Sequence, residues 1–323
     1  MDLHASWDCN RYLGCTLVLE SINGVRVMKI GLVDVDSKIP NLALMKLSAW
    51  HKAQGDEVKM FDPMFDIKQD KPDRIYSSKI FKNSDQYLYF PDCEIIQGGS
   101  GFDLKLKLPA EIETMCPDYS LYNSDYAMGF TTRGCPRSCG FCIVPQKEGK
   151  LHAVADVHQF WRGQSHLMIM DNNLTGDSGH FNLILNQVIK HKIKTDFSQG
   201  LDIRYIDDEK AKLLSKVKLQ RNGHIRFAWD SMDLEQEVLQ GISVLTKYML
   251  PYKLMFYVLI GYDTTEDEDL YRVEMLKSLG VSPFVMPYDK DDPYQADFAR
   301  WVIHKAAFNT TSWPDYKKRL KGA

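Results

Sequence analysis

Short apolar runs alternate with longer amphipathic stretches from about residue 28 onward. Residues 28–36 are rich in β-branched side chains, as is typical of a buried strand, and Pro40 follows at a position where a helix can begin. One face of that helix would carry five large apolar side chains: Leu42, Leu44, Met45, Leu47 and Trp50. Further strands are predicted over 57–61, 73–78 and 93–99. The pattern therefore predicts a small α/β domain over 28–125, with a doubly wound parallel sheet of the Rossmann-like kind.

A second series of strands and helices begins after Tyr126. Six apolar runs, each followed by polar residues, predict strands over 127–132, 167–173, 196–204, 225–231, 255–262 and 282–288. Helical periodicity separates them, for example over 208–215, 234–245 and 267–279. Six strand–helix repeats indicate a partial (β/α)6 barrel over 126–290, with functional residues at the carboxyl ends of its strands. Residues 291–323 are predicted to form a C-terminal helical segment that packs against the rest.

Two interpretations of residues 1–27 stay open. Met28 stands at the start of the first predicted strand, so these residues could be an extension that is non-native or unstructured. Alternatively, residues 17–19 could turn at Asn23 and Gly24 into residues 25–28 as a hairpin. We favour the extension.

Composition sets modest bounds on function. The net charge is −3 over 323 residues, so no strong overall field attracts nucleic acid, which is not indicated as a partner. No apolar run reaches the roughly 18–20 residues needed to span a bilayer, and no membrane association is expected. Seven cysteines, three of them clustered, suit the reducing cytoplasm better than a disulfide framework.

The clustered cysteines form a C-x3-C-x2-C motif made of Cys135, Cys139 and Cys142. Gly134 precedes the motif, and no cysteine follows it. A structural zinc site normally has four ligands, whereas a cubane cluster held by three thiolates leaves one iron open to an exogenous ligand. The spacing therefore indicates a reactive iron–sulfur site. The alternatives are a zinc knuckle that borrows His152, or three structural thiols.

This motif, with the aromatic Phe141 before its last cysteine, resembles the signature of radical S-adenosylmethionine (radical SAM) enzymes. The resemblance covers about residues 28–290. It implies a 4Fe–4S cluster on the three cysteines, with SAM on the fourth iron and Phe141 near the adenine. Reductive cleavage of SAM would give a 5′-deoxyadenosyl radical that acts on an unknown substrate.

The resemblance also implies SAM contacts at the ends of the second to fifth strands. Side chains after the second strand would meet the methionine amino group, and a guanidinium after the third could pair with a carboxylate. Residues after the fourth strand would meet the ribose, and backbone at the fifth would flank the adenine. The residues concerned are Asp171, Asn172, Gln199, Arg204, Asp230, Ser231, Ile260 and Gly261. Loop solvation and helix capping are the alternatives for each of them.

The N-terminal layout is similar to the cobalamin-binding domain that precedes the core in one radical SAM subgroup. There, a D-x-H-x-x-G loop supplies a histidine to cobalt, but the histidine in the first half of this domain is His51, inside a predicted helix. We therefore expect the fold to be kept and cobalamin to be absent. Cobalamin binding without a protein ligand, as in a cobalamin-dependent methyltransferase, stays open, as does a non-enzymatic metal-binding protein.

A basic lip is predicted around the cysteine motif. It consists of Arg133, Arg137, Lys147 and Lys150. These cations could attract an anionic substrate or the flavodoxin- or ferredoxin-type electron donor that the resemblance implies. A solvated surface is the alternative.

Overall fold

The computed structural model describes residues 26–66, 71–84 and 90–321. Both interpretations of residues 1–27 fall almost wholly outside these ranges and stay predictions. Within the described ranges, no helix combines the length and the apolar character needed to cross a membrane.

The N-terminal part of the chain forms a four-stranded parallel sheet. Its elements are β1 (Lys29–Asp34), α1 (Leu42–Ala53), β2 (Glu57–Met60), β3 (Arg74–Ser78), β4 (Glu94–Gly98) and α2 (Ala110–Glu113). The strand order is β2-β1-β3-β4, and every neighbouring pair is parallel. Because the winding reverses between β1 and β3, a crevice is expected at the carboxyl ends of these two strands.

Helix α1 begins two residues later than the predicted start at Pro40. Asn41 caps it, since its Oδ1 accepts hydrogen bonds from the backbone N–H groups of Ala43 (3.1 Å) and Leu44 (3.3 Å). The buried face of the helix then packs against the sheet through Leu44 and Leu47. The Asn41 amide also donates to Ser78 Oγ at 2.9 Å, so the helix start is tied to the end of β3.

The second part of the chain repeats strands and helices from residue 127 onward. Its elements are β5 (Ala127–Gly129), β6 (Thr132–Arg133), α3 (Val144–Lys147), β7 (His152–Ala153), α4 (Val157–Phe160), β8 (His166–Ile169), α5 (Ser178–Lys190), β9 (Lys194–Phe197), α6 (Asp208–Leu214), β10 (Ile225–Ala228), α7 (Glu235–Thr246), β11 (Leu254–Ile260), α8 (Glu266–Ser278), β12 (Ser282–Pro287), α9 (Pro293–Ile303), α10 (Lys305–Thr310) and α11 (Trp313–Lys321). Six of these strands form two parallel sheets, β5-β8-β9 and β10-β11-β12. Five of them coincide with predicted strands to within a few residues, whereas β9 shares only two residues with the predicted segment 196–204, whose end forms a 3₁₀ turn (Ile203–Tyr205).

The two three-stranded sheets share one large apolar core. Backbone hydrogen bonding continues between them just beyond β9, where Leu201 N–H donates to the Arg226 carbonyl at 2.7 Å. Helices α9 to α11 close the core with a group of buried aromatic rings that includes Phe298, Trp301 and Trp313. The C-terminal segment therefore packs, as predicted, and the α/β class with parallel sheets is confirmed.

A smaller apolar cluster joins the N-terminal sheet to the second part of the chain. Leu42 and Met45 of α1 are buried together with Met128 of β5. This packing places the carboxyl ends of β1 and β3 beside the strand that leads into the cysteine motif.

Candidate functional site

The cysteine loop between β6 and α3 depends on a glycine. Gly134 has a φ of +76°, and a Cβ at this position would lie 2.3 Å from the carbonyl oxygen of Lys150. A side chain is therefore excluded by both the backbone conformation and the close approach of the neighbouring chain. The backbone N–H of Cys135 donates to the Gly149 carbonyl (3.2 Å), and Cys142 N–H donates to the Cys139 carbonyl (3.0 Å).

The three thiols are half-buried, and none is in a disulfide. Burial raises the pKa of Cys139; the charge of Arg204 lowers it, and Cys142, Asp230 and Cys135 raise it further. Because charge interactions weaken with distance, these groups share one region of the molecule. Cations around a thiol favour the thiolate, which is the form that binds metal.

His152 is the residue that the zinc alternative would add to the three cysteines. Among the described residues, no group of three or more His, Cys, Asp or Glu side chains is placed to hold a metal ion. His152, the fourth ligand of the zinc alternative, is exposed, and its Nδ1 lies 2.9 Å from the Lys150 carbonyl oxygen. Both the iron–sulfur cluster and the zinc site therefore stay predictions.

Asp171 accepts hydrogen bonds from Thr131 and Thr132, the residues that lead into the cysteine loop. Its carboxylate is 3% exposed and accepts hydrogen bonds from Thr131 N (2.6 Å) and Thr132 N (2.9 Å), and from both threonine hydroxyls. Burial raises the pKa of Asp171, and these four hydrogen bonds oppose that shift. With its lone pairs engaged, Asp171 is placed to position the loop. The expected direct cofactor contact of Asp171 is therefore not supported by its placement.

Asn172 and Asn173 differ in what they contact. Asn172 lines the large cavity described below, and its buried Oδ1 has no hydrogen-bond partner among the described residues. Asn173 is buried and donates through Nδ2 to the Cys135 sulfur (3.4 Å) and to Asp202 Oδ2 (3.1 Å). Sequence reasoning did not assign a separate role to Asn173.

Asp202 joins the cysteine loop to the end of β9. Arg204 forms a two-pronged pair with it (2.6 and 2.9 Å), and Arg137 Nε approaches it at 3.2 Å. Burial alone would raise the pKa of Asp202, but its bonds to Arg204 and Asn173 hold that pKa below the ordinary value. The Arg204 guanidinium is thus already paired, so a ligand carboxylate would have to share it with Asp202. The predicted Gln199 is exposed and lines the cavity.

Asp230 lies in the same region as Arg204 and Cys139. Burial raises the pKa of Asp230 to about 6, although a hydrogen bond from Leu259 N–H (3.3 Å) and the charge of Arg272 oppose the shift. Ser231, by contrast, accepts from Asp233 N–H and caps a short 3₁₀ turn, so its hydroxyl has the capping role that was the alternative.

Arg272 links the ends of β10 and β11 through hydrogen bonds from its guanidinium group. Its buried guanidinium donates to the carbonyls of Trp229 (2.7 Å) and Leu259 (2.9 Å) and pairs with Asp269 at 2.6 Å. Both side chains of this pair are almost fully buried. The pair therefore fixes the strand ends that carry Asp230 and Ile260.

The carboxyl end of β11, the fifth strand predicted in the second part of the chain, places backbone groups and aromatic rings beside the cysteine loop. The Ile260 side chain is fully buried in the core, so only its backbone can serve the site. Gly261 has a φ of +76°, and a Cβ there would meet the Gln295 side chain at 2.2 Å. Tyr262, which sequence reasoning did not single out, lies edge-on to Phe141 with ring centroids 5.4 Å apart.

A cavity of about 1020 Å³ opens between the two parts of the molecule. The N-terminal sheet contributes the carboxyl ends of β3 and β4, and the second part contributes Phe141, Cys142, Met170, Asn172 and Gln199. The volume lies at the upper end of the range for ligand sites, about 300–1,000 Å³. The crevice expected from the strand order thus opens directly onto the cysteine loop.

His51 does not face this cavity as a metal ligand. It is 1% exposed, with Nδ1 2.6 Å from the Asp56 carboxylate and Nε2 3.0 Å from the Tyr76 hydroxyl. Both ring nitrogens are engaged within the N-terminal domain.

Comparison of the chain with protein-family models and with curated proteins found no match. Its function is therefore inferred from the residues and the geometry just described.

Proposed function

We propose that this chain is a radical SAM enzyme with a Rossmann-like N-terminal domain and a partial (β/α)6 core. The observation that carries the proposal is the cysteine loop: its three thiols are half-buried, Cys142 lines the large cavity, and Cys139 lies near the paired Arg204 and the buried Asp230. The two parallel three-stranded sheets, joined beyond β9, are consistent with an open six-stranded barrel.

The side chains at the cavity fit the implied cofactors. Cys135, Cys139 and Cys142 would hold the 4Fe–4S cluster. Burial raises the pKa of the Cys139 thiol, and the positive charge of Arg204 opposes that shift. The unpartnered Oδ1 of Asn172 offers an acceptor for the amino group of SAM. When bound, the cluster would supply the electron that cleaves SAM reductively.

Other residues would orient SAM. Asp230 can accept a hydrogen bond from a ribose hydroxyl near Cys139. Phe141, backed by Tyr262, presents an aromatic surface where an adenine could lie.

Anaerobic reconstitution with iron and sulfide tests this proposal. We expect about four irons per chain and a change in the electron paramagnetic resonance spectrum of the reduced cluster when SAM is added. Alanine at Cys135, Cys139 or Cys142 should abolish both signals. Cys93→Ala, at a half-buried cysteine beside β4, is the matched control and should keep them. A variant of the motif that retains a SAM-responsive cluster would overturn the assignment.

A cobalamin-dependent methyltransferase is the second candidate, and the position of the cavity favours it. The cavity follows the carboxyl ends of β3 and β4, where doubly wound sheets bind ligands. His51 would supply no cobalt ligand, because both of its nitrogens are engaged. Gel filtration after incubation with cobalamin decides between the candidates. Stoichiometric retention of cobalamin by the protein supports the second candidate, whereas the absence of retained cobalamin argues against it.

A further inference from the structure

The mouth of the cavity is lined by apolar side chains that the protein leaves uncovered. Six of them are each between 37% and 50% exposed, namely Ile39, Ile80, Ile96, Leu106, Ile143 and Val154. Apolar surface in water costs roughly 25 cal/mol per Å², and a contiguous exposed patch marks a binding site. The walls therefore suit a ligand with an apolar body.

Two polar atoms in the cavity wall lack partners among the described residues. Ser77 Oγ, at the end of β3, belongs to a side chain that is 1% exposed, and Asn172 Oδ1 lies after β8. The neighbouring Ser78 shows the contrast, because its hydroxyl accepts from Asn41. Asn172 Oδ1 is the acceptor proposed above for SAM. Since buried polar groups are nearly always satisfied, Ser77 Oγ is the atom left for a further ligand.

One wall of the cavity carries excess positive charge. Arg133 pairs with Glu113 (2.6 Å) and Glu148 (3.2 Å), and Lys46 pairs with Glu113 at 2.9 Å. Lys147 also lines the cavity, but its ammonium group makes no hydrogen bond or ion pair with any described residue. With Lys107, an exposed side chain that also lines the cavity, four cations thus accompany two carboxylates.

Lys147 is the group that an anionic ligand would neutralise. Burial lowers the pKa of Lys147, and the charge of Arg133 lowers it further, while Glu148 opposes the shift. A half-buried cation without a partner loses hydration and gains from a bound anion.

We propose that the cavity binds the enzyme's substrate, an elongated apolar molecule that ends in one anionic group, a carboxylate or a phosphate, which pairs with Lys147. The apolar body lies against the aliphatic walls and extends toward Phe141 and Cys142, which line the same cavity. The assignment as substrate rests on the proposed radical SAM function, whereas the binding itself needs no cluster.

Binding of 1-anilinonaphthalene-8-sulfonate, an apolar anion that fluoresces when bound, tests the site on the full chain without cluster reconstitution. Lys147→Met keeps most of the side-chain length and removes the charge, so we expect about a tenfold higher Kd, or about 1.4 kcal/mol. Lys190→Met is the matched control: this lysine is exposed at the end of α5, lies outside the cavity lining and should leave the Kd unchanged. Ile96→Asp, at the exposed cavity mouth, should also weaken binding.

Displacement of the dye identifies the anionic group. Laurate or dodecyl phosphate should displace the dye at a concentration at least about tenfold below the concentration of dodecanol that is needed. Whichever of the two displaces the dye at the lower concentration shows whether the anionic group is a carboxylate or a phosphate. Equal displacement by dodecanol, unchanged binding by Lys147→Met, or stoichiometric displacement by cobalamin would overturn the proposal. Iron content is measured in a separate experiment. A failure of the dye-binding predictions therefore does not contradict the radical SAM assignment, and a protein that binds no cluster does not contradict the proposed binding site.

Discussion

Replacement of Asp171 by asparagine tests how the cysteine loop is positioned. Each carboxylate oxygen of Asp171 accepts one backbone N–H, from Thr131 on Oδ1 and from Thr132 on Oδ2. A carboxamide has one oxygen only, so in either orientation its NH₂ group faces a backbone donor. The substitution is nearly isosteric, and its effect therefore reports on hydrogen bonding rather than on volume.

The structure sets the size of this effect. One buried backbone donor loses its acceptor, which costs about 1–3 kcal/mol, and the remaining bonds lose their charge-assisted character. We expect the free energy of unfolding of Asp171→Asn to fall by at least that amount in urea titrations followed by tryptophan fluorescence. Since Thr131 and Thr132 lead into the cysteine loop, the iron content after reconstitution should fall as well.

Asp297→Asn serves as the matched control, because Asp297 pairs with Arg300 on the surface and lies outside the site. It should change neither the unfolding curve nor the iron content. If Asp171→Asn unfolds with the same free energy as the wild-type protein, the proposed role of Asp171 is wrong.

Three further predictions concern the supporting structure. Arg272→Met breaks a buried pair and should lower the free energy of unfolding by about 3–5 kcal/mol, against less than about 1 kcal/mol for Arg300→Met; equal effects in urea would contradict this. Because the folded pKa of Asp230 is raised to about 6, its contribution to stability is lost as the pH rises from about 4 to about 6. The free energy of unfolding of the wild-type protein should thus fall by roughly 1 kcal/mol relative to that of Asp230→Asn between about pH 5 and about pH 7. If urea unfolding gives the same difference between the two proteins at both pH values, the raised pKa of a buried carboxylate is refuted. Gly134→Ala should cost about 1–3 kcal/mol and reduce iron loading, since its Cβ would meet the Lys150 carbonyl; full iron loading would argue against the rigid turn.

Strands that are local apolar runs could be located from sequence, whereas β9, with the sequence KTDF, was placed too late. Strand β11 (Leu254–Ile260) begins one residue before and ends two residues before the predicted 255–262, and α8 (Glu266–Ser278) differs from the predicted 267–279 by one residue at each end. The predicted start of α1 at Pro40 is too early because a capping side chain sets the boundary. Asn41 accepts hydrogen bonds from two backbone N–H groups that have no partner inside the helix, and a proline side chain cannot do this. The domain boundaries stay predictions.

The roles of individual site residues depended on partners that are distant in sequence. Asp171 is engaged by threonines some 40 positions earlier, and Asp202 accepts from Arg137 of the cysteine loop, 65 positions earlier. No local pattern shows whether such a side chain is free for a ligand or already satisfied. The D-x-R spacing of Asp202 and Arg204 was the one available signal for a local ion pair, because such close residues can meet after a strand end.

Formation of 5′-deoxyadenosine tests the central claim most directly. The reconstituted protein is incubated anaerobically with SAM and dithionite, and the product is quantified by liquid chromatography and mass spectrometry. We expect the wild-type chain and Cys93→Ala to form 5′-deoxyadenosine and Cys139→Ala to form none. Formation by Cys139→Ala at the wild-type rate, or none by a wild-type protein that carries its full cluster, would contradict the account.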